Sequence, residues 1–315
     1  MARFRFHRLF DDPLVAVIFR GDATTPAVAF AAREAKGRRA HLLINPGWVL
    51  DRTVIDNIVE RVSAAVAQHP NLSFAVLVPT PEGAAACRAA GLEPVEAHTN
   101  AFVDERVFFP QYRGRRRFDA VYNARFLDYK RHHLAAAVPR LALISLPLGV
   151  APEQAAAVTG GMSDLSYSNF DAAAGVLRGL DNHHVRRVLA RACTGLALSA
   201  VEGGMYASAE YLLTGLPVVT TPSRGDRDVF FHPDYVLTVE PTPEAVAAGV
   251  AELKARQLDP LMIRERTLEL MRPHRLRLLE HLKGVTGLDF VRLAGPSAWA
   301  PQFTNKLVTM IEADV

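Results

Sequence analysis

Cysteine is scarce in this sequence, with only Cys87 and Cys193 among 315 residues. Two thiols so far apart, without metal-ligand spacing, exclude a disulfide framework and give no sign of a zinc site. Long apolar runs are missing as well. No stretch reaches the roughly 18–20 residues that a membrane-spanning helix requires, and the opening MARFRFHRLFDDP lacks the apolar stretch of a secretory leader. A cytoplasmic protein is therefore predicted. Aromatics amount to 8%, and no stacking pattern accompanies the basic residues, which argues against RNA as a partner. No internal repeat or low-complexity tract is present. The formal net charge is only +3, which favours anionic partners such as nucleotide phosphates without requiring a polyanion.

Half of the residues are hydrophobic and 22% are charged, the composition of a folded globular protein, neither disordered nor fibrous. The chain is too long for one ordinary core and short for three, so two lobes are predicted. In the first third, apolar runs at 14–20, 41–46 and 73–79 alternate with helical patterns at 26–37, 52–68 and 82–90. Continuous Val/Ile/Leu runs joined by helices imply a parallel sheet covered on both faces. A second α/β series follows, with strands at 118–124, 141–147, 195–199, 216–221 and 235–240. Helices are predicted near 130–138, 183–193, 203–214 and 243–256. From about 260 the pattern is helical and charged, with a break at 284–296 and a last amphipathic helix near 303–313. The expected domains are 1–112, 113–296 and a terminal helix 297–315 that crosses back to the first lobe. Arg113, Arg115, Arg116 and Arg117 form the densest basic cluster; it reads as a solvated linker, with contact to an anionic membrane surface or acceptor as the other reading.

Ligands of open parallel sheets bind at the carboxyl ends of the strands, so the loops there carry the chemistry. The fullest is LSAVEGGMYASAEYLLTGLP at 198–217. A strand ends, Glu202 and two glycines turn the chain, and a helix runs to a glycine cap at Gly215. Were all the intervening residues helical, Glu202 and Glu210 would lie about 12 Å apart along the axis. That is too far to share a proton, but suits gripping two ends of an extended ligand. The amides of Gly203, Gly204, Met205 and Tyr206 would then face a phosphate or a sugar hydroxyl at the helix N-terminus.

This run resembles the E-x7-E signature of retaining GT-B glycosyltransferases of the family-4 type, including its continuation Y-L-L-T-G-L-P-V-V. Upstream, VYNARFLDYKRHH is similar to the family's G-R-x-x-x-x-K-G segment, with Arg125 and Lys130 as its cations and Arg131 in place of the usual glycine. The stretch HTNAFVDERVFFP at 98–110 is similar to the segment that leaves the N-terminal lobe, and reads as a structural hinge. TPSRGDRDVFF stands where the family has a Gly-Gly loop, with Asp226 replacing a glycine.

The resemblance implies the GT-B fold, two Rossmann-like parallel-sheet lobes facing each other across a cleft, here with an abbreviated N-terminal lobe. It implies transfer of a hexose-like sugar from a nucleoside-diphosphate sugar to an acceptor hydroxyl, with retention and without a metal or other cofactor. Arg125, Lys130 and Glu202 take the catalytic roles: the cations neutralise the leaving diphosphate and Glu202 contacts the donor sugar. Glu210 meets the ribose, while Gly203, Gly204, Met205, Tyr206, Ser223 and Arg224 line the donor site. Gly21, Asp22 and His98 are weaker candidates on the acceptor side. Asp22 reads equally as a helix-start cap, and His98 as a satisfied interior histidine. The acceptor, whether a glycan, a lipid-linked molecule or a small molecule, is not specified. Rival readings are a non-catalytic GT-B scaffold in a glycan-assembly complex and a nucleotide-sugar epimerase.

Overall fold

The computed structural model describes residues 1–22, 26–111, 116–145, 152–162, 164–171, 176–289 and 303–314. The chain divides into two compact units, Met1–Asp104 with Met271–Val315, and Glu105–Leu270. The first crossing falls inside the 98–110 stretch. The predicted boundary at 112/113 lies outside the described residues.

The first unit is built on strands β1 (Ala2–Asp11), β2 (Leu14–Phe19), β3 (Ala40–Asn45), β4 (Leu72–Leu77) and β5 (Pro94–Val95). Every side chain of β2 and β3 is buried, as continuous apolar strands between helical layers require. β2 through β5 pair in parallel. Helices α1 (Pro26–Ala35), α2 (Arg52–Gln68) and α3 (Pro81–Ala89) provide the crossovers. Asp51 caps α2 by accepting from the Val54 amide at 3.0 Å, and Thr80 caps α3 through the Gly83 amide at 3.2 Å.

Two features of this unit depart from the sequence reading. β1, whose Phe4 and Phe6 turn inward, adds an antiparallel strand beside β2. The end of the chain forms no terminal helix: Asn305–Leu307 is a short 3-10 turn, and Met310–Ala313 is a strand, here β16, paired antiparallel with β1 from Ala2↔Ala313 to Arg5↔Met310. The sheet order is thus β16-β1-β2-β3-β4-β5.

The second unit carries a six-stranded, wholly parallel sheet. Its strands are β6 (Phe118–Asn123), β7 (Leu141–Ile144), β8 (Leu165–Tyr167), β11 (Ala192–Ala197), β13 (Val218–Thr220) and β15 (Val236–Thr238). Short pairs β9 (Phe170–Asp171) with β10 (Val176–Leu177), and β12 (Val201–Glu202) with β14 (Arg224–Gly225), lie outside it. Its helices are α4 (Pro152–Thr159), α5 (Asn182–Leu189), α6 (Tyr206–Leu213) and α7 (Pro243–Arg256).

The order β15-β13-β11-β6-β7-β8 makes β6, the first of these six strands in sequence, and β11, the fourth of them, neighbours. Connections leave those two strands in opposite directions, and this switch point is where doubly wound sheets bind ligands. The long helix α8 (Pro260–Thr286) passes through the division between the units at Leu270/Met271. Residues 271–296, expected in the C-terminal lobe, accordingly belong with the first unit as far as they are described.

Candidate functional site

The site of the second unit starts at the last residue of β6. The Asn123 amide donates to Tyr211 Oη at 2.6 Å, and Asn123 Nδ2 donates to Glu210 Oε2 at 3.2 Å. Tyr211 and Glu210 both belong to α6, so one strand end fixes the depth of that helix and the aim of its carboxylate. The helix can come this close because β11 has Gly195 beneath it: a Cβ there would stand 2.4 Å from the Tyr211 ring. At its far end Gly215, with φ +76°, closes the helix, and the Leu216 amide reaches back to the Tyr211 carbonyl at 2.9 Å.

From Asn123 the chain enters a tightly held loop. The helix predicted near 130–138 is replaced by two 3-10 turns, Asp128–Lys130 and His132–Ala135, joined by Arg131 at φ 50°, ψ 48°. That left-handed conformation explains why glycine would serve at this position. Arg131 tolerates it while its guanidinium donates to Leu198 O and Thr221 Oγ1, both at 2.7 Å. Arg131 is therefore a brace between strand ends. Tyr122 Oη donates to the Lys130 carbonyl at 2.5 Å, and the Ala200 amide donates to the Tyr129 carbonyl at 2.9 Å.

Lys130 and Glu202 are 7% and 8% exposed and form an ion pair with each other. Burial depresses the Lys130 ammonium below the usual lysine range, and the Glu202 carboxylate partly restores it. Burial, then Glu202, raises the Tyr129 hydroxyl, to which the exposed Arg125 hydrogen-bonds. Glu202 is carried by the short parallel pair β12/β14, in register Val201↔Arg224 and Glu202↔Gly225. The Asp226 amide donates to the Glu202 carbonyl at 3.0 Å.

Arg125, Lys130, Glu202 and Glu210 are thus brought to the carboxyl ends of β6 and β11. Glu202 and Glu210 do not share one helix, however. α6 begins only at Tyr206, and Gly203, Gly204 and Met205 form the turn before it, with Gly203 and Met205 buried and Gly204 exposed. A strand, a turn and a helix span the E-x7-E run, so the axial distance for continuous helix does not apply. Ser223 Oγ is buried with no hydrogen-bond partner among the described residues, while Arg224 is exposed on β14. Gly21, Asp22 and His98 belong to the first unit. Gly21 and Asp22 form part of a 3-10 turn. His98 is buried, its Nδ1 accepting from the Asn100 amide at 3.0 Å and its own amide donating to His274 Nδ1 at 3.2 Å.

Arg227 was not singled out from sequence. It is 1% exposed and donates to Ser199 O at 2.6 Å, Thr220 Oγ1 at 2.7 Å, the Thr221 carbonyl, and Asp228 Oδ1 at 2.7 Å. It ties the loops after β11 and β13 together. Arg113 and Arg115 lie outside the described residues. Arg116, read as solvated linker, instead donates to Ala190 O at 3.1 Å and Ala192 O at 2.7 Å. Among the described residues no helix is long and apolar enough to cross a membrane, and no group of three or more His, Cys, Asp or Glu is placed to hold a metal ion.

No protein-family profile matches the chain, and no curated protein matches its sequence. Solved structures do. HepE from Anabaena, in complex with UDP, superposes with a TM-score of 0.53 at 13% identity, covering 86% of this chain and 79% of HepE. The pneumococcal O-GlcNAc transferase GtfA, in complex with UDP and GlcNAc, gives 0.54 at 13% identity over 87% of this chain and 56% of its own. Sucrose-phosphate synthase from Thermosynechococcus elongatus gives 0.53 at 14% identity, over 85% and 71%. At such identities the likeness is one of fold: each unit of the chain is Rossmann-like, and the whole is similar to GT-B glycosyltransferase structures.

Proposed function

We propose that the chain is a glycosyltransferase whose second unit binds a nucleoside-diphosphate sugar, and that it transfers the sugar with retention and without a metal. The observation that carries this reading is the convergence of Arg125, Lys130, Glu202 and Glu210 at the switch point between β6 and β11. A leaving diphosphate develops negative charge, and a guanidinium with an ammonium can neutralise it in place of a metal. Glu210, steadied by Asn123 and set on a helix whose partner strand leaves room for it, suits the two hydroxyls of a ribose. Glu202, at the turn before α6, suits the donor sugar. The UDP in the HepE and GtfA complexes makes uridine the first base to test.

A thermal-shift screen against UDP, GDP, ADP and TDP tests the reading. A ligand at a hundred times its dissociation constant adds about 2.7 kcal/mol of stability. Glu210→Ala is expected to weaken binding of the nucleotide that shifts the wild type. Arg125→Ala and Lys130→Ala are expected to depress turnover chiefly, each on the order of a hundredfold by analogy with the loss of one oxyanion donor. Slow hydrolysis of a labelled donor without acceptor separates a catalyst from a scaffold, and turnover that survives EDTA supports metal independence. Unchanged binding and turnover in all three variants would dispose of the assignment.

A further inference from the structure

The buried pair at the centre of the site raises a question of exchange. Lys130 is the one cation ion-paired with Glu202 among the described residues, and both side chains are almost wholly buried. The other cations nearby are committed to other partners: Arg227 is engaged by Ser199, Thr220, Thr221 and Asp228, Arg131 by backbone and Thr221, and the exposed Arg125 by Tyr129. Glu210 accepts from Asn123 Nδ2. An anion that takes Lys130 therefore leaves Glu202 buried without a cation, and an uncompensated buried charge is strongly unfavourable.

Resting on the donor-site reading above, we infer that the Lys130–Glu202 pair is a latch that distinguishes the intact nucleotide sugar from the diphosphate left after transfer. The intact donor repairs both ends of the broken pair: its diphosphate takes the ammonium, and its sugar hydroxyls donate to Glu202. The product diphosphate repairs only one. Re-formation of the pair then competes with the product and favours its release. In effect only the fraction of molecules with the pair open accepts a bare diphosphate, and the apparent affinity is reduced by that fraction.

A latch of this kind reverses the usual sign of a binding-site substitution. In Glu202→Gln the ammonium has no resident anion to give up, so UDP should bind about tenfold tighter than to the wild type, corresponding to an open fraction of about one-tenth. UDP-glucose should gain distinctly less. Lys130→Met should bind UDP more weakly than wild type, and the double variant Glu202→Gln/Lys130→Met should gain nothing over Lys130→Met alone. Titration calorimetry on the full chain reads all four, with GDP, ADP and TDP and their glucose conjugates used in turn where UDP gives no heat. Equal or weaker diphosphate binding by folded Glu202→Gln, when the wild type binds, overturns the latch and leaves the donor-site reading standing. Failure of every diphosphate to bind any of the four removes both. If Glu202→Gln does not fold, Glu202→Asp keeps the charge but shortens its reach; it should tighten diphosphate binding by a smaller factor, and no tightening overturns the latch.

Discussion

Arg227 shows how much of the site depends on a side chain that is 1% exposed. Its guanidinium ties the loops after β11 and β13, donating to Ser199, Thr220 and Thr221 besides Asp228. Arg227→Met would strand those acceptors, at a cost of about 1–3 kcal/mol for each buried one left unsatisfied. Arg227→Lys keeps the charge without the planar fork and should recover only a minor part. Urea unfolding followed by circular dichroism checks both. Sequence reasoning chose Arg224 in the same loop, and no local pattern separates the two. Arg224 sits exposed on β14, whereas Arg227 is turned inward by contacts with Ser199, 28 residues back along the chain, and with Thr220. Lys130, Glu202 and Glu210 stand out in the sequence because two short segments, 121–133 and 202–210, single them out. That Lys130 and Glu202 pair with each other does not, since the partners stand 72 residues apart.

At the scale of elements, α6 packs closest to β11 where Gly195 lies under the Tyr211 ring. Gly195→Ala would put a methyl group into the Tyr211 ring, and α6 could accommodate it only by moving away from the sheet. Overpacking of this kind costs about 1–3 kcal/mol. Because Tyr211 and the neighbouring Glu210 are both anchored on Asn123, nucleotide affinity should fall beyond what the lost stability explains. Melting and calorimetry on the same sample test this; unchanged affinity in a destabilised variant would separate the helix position from the site. The inner parallel strands were readable because their burial on both faces writes a continuous apolar run. β1 and β16 were missed for the opposite reason. They lie at the outer side of the sheet, and the short apolar spacing of 303–313 fits a helix as well as a strand until pairing with residues 2–5 decides it.

At the scale of the molecule, two parallel-sheet units followed from the alternation of elements, but their membership did not. α8 is continuous through the division, and local periodicity cannot say with which core each half of a helix packs. In the first unit the latter half supplies His281, whose Nε2 meets His41 Nε2 at 2.8 Å. His41 Nδ1 meets Ser73 Oγ at 2.9 Å, and Glu93 lies 3.5 Å from His281 Nδ1. Burial lowers His41 to about 4, with His281 adding to the effect, and burial likewise lowers His274 to about 4 in this unit and His132 to about 4 in the second. A histidine whose folded value lies below its unfolded value of about 6.5 is charged first in the unfolded chain. Its stabilising contribution is full above about pH 6.5 and is lost as the pH falls toward 4. For His41, buried in β3, the loss is on the order of 3 kcal/mol across that window. Urea midpoints are therefore expected to fall steadily between pH 7 and pH 4.5. His41→Gln, which cannot be protonated, should start lower at pH 7 and show a shallower slope; an equal slope would mean that the His41–His281 pair plays no part in the acid sensitivity of the chain.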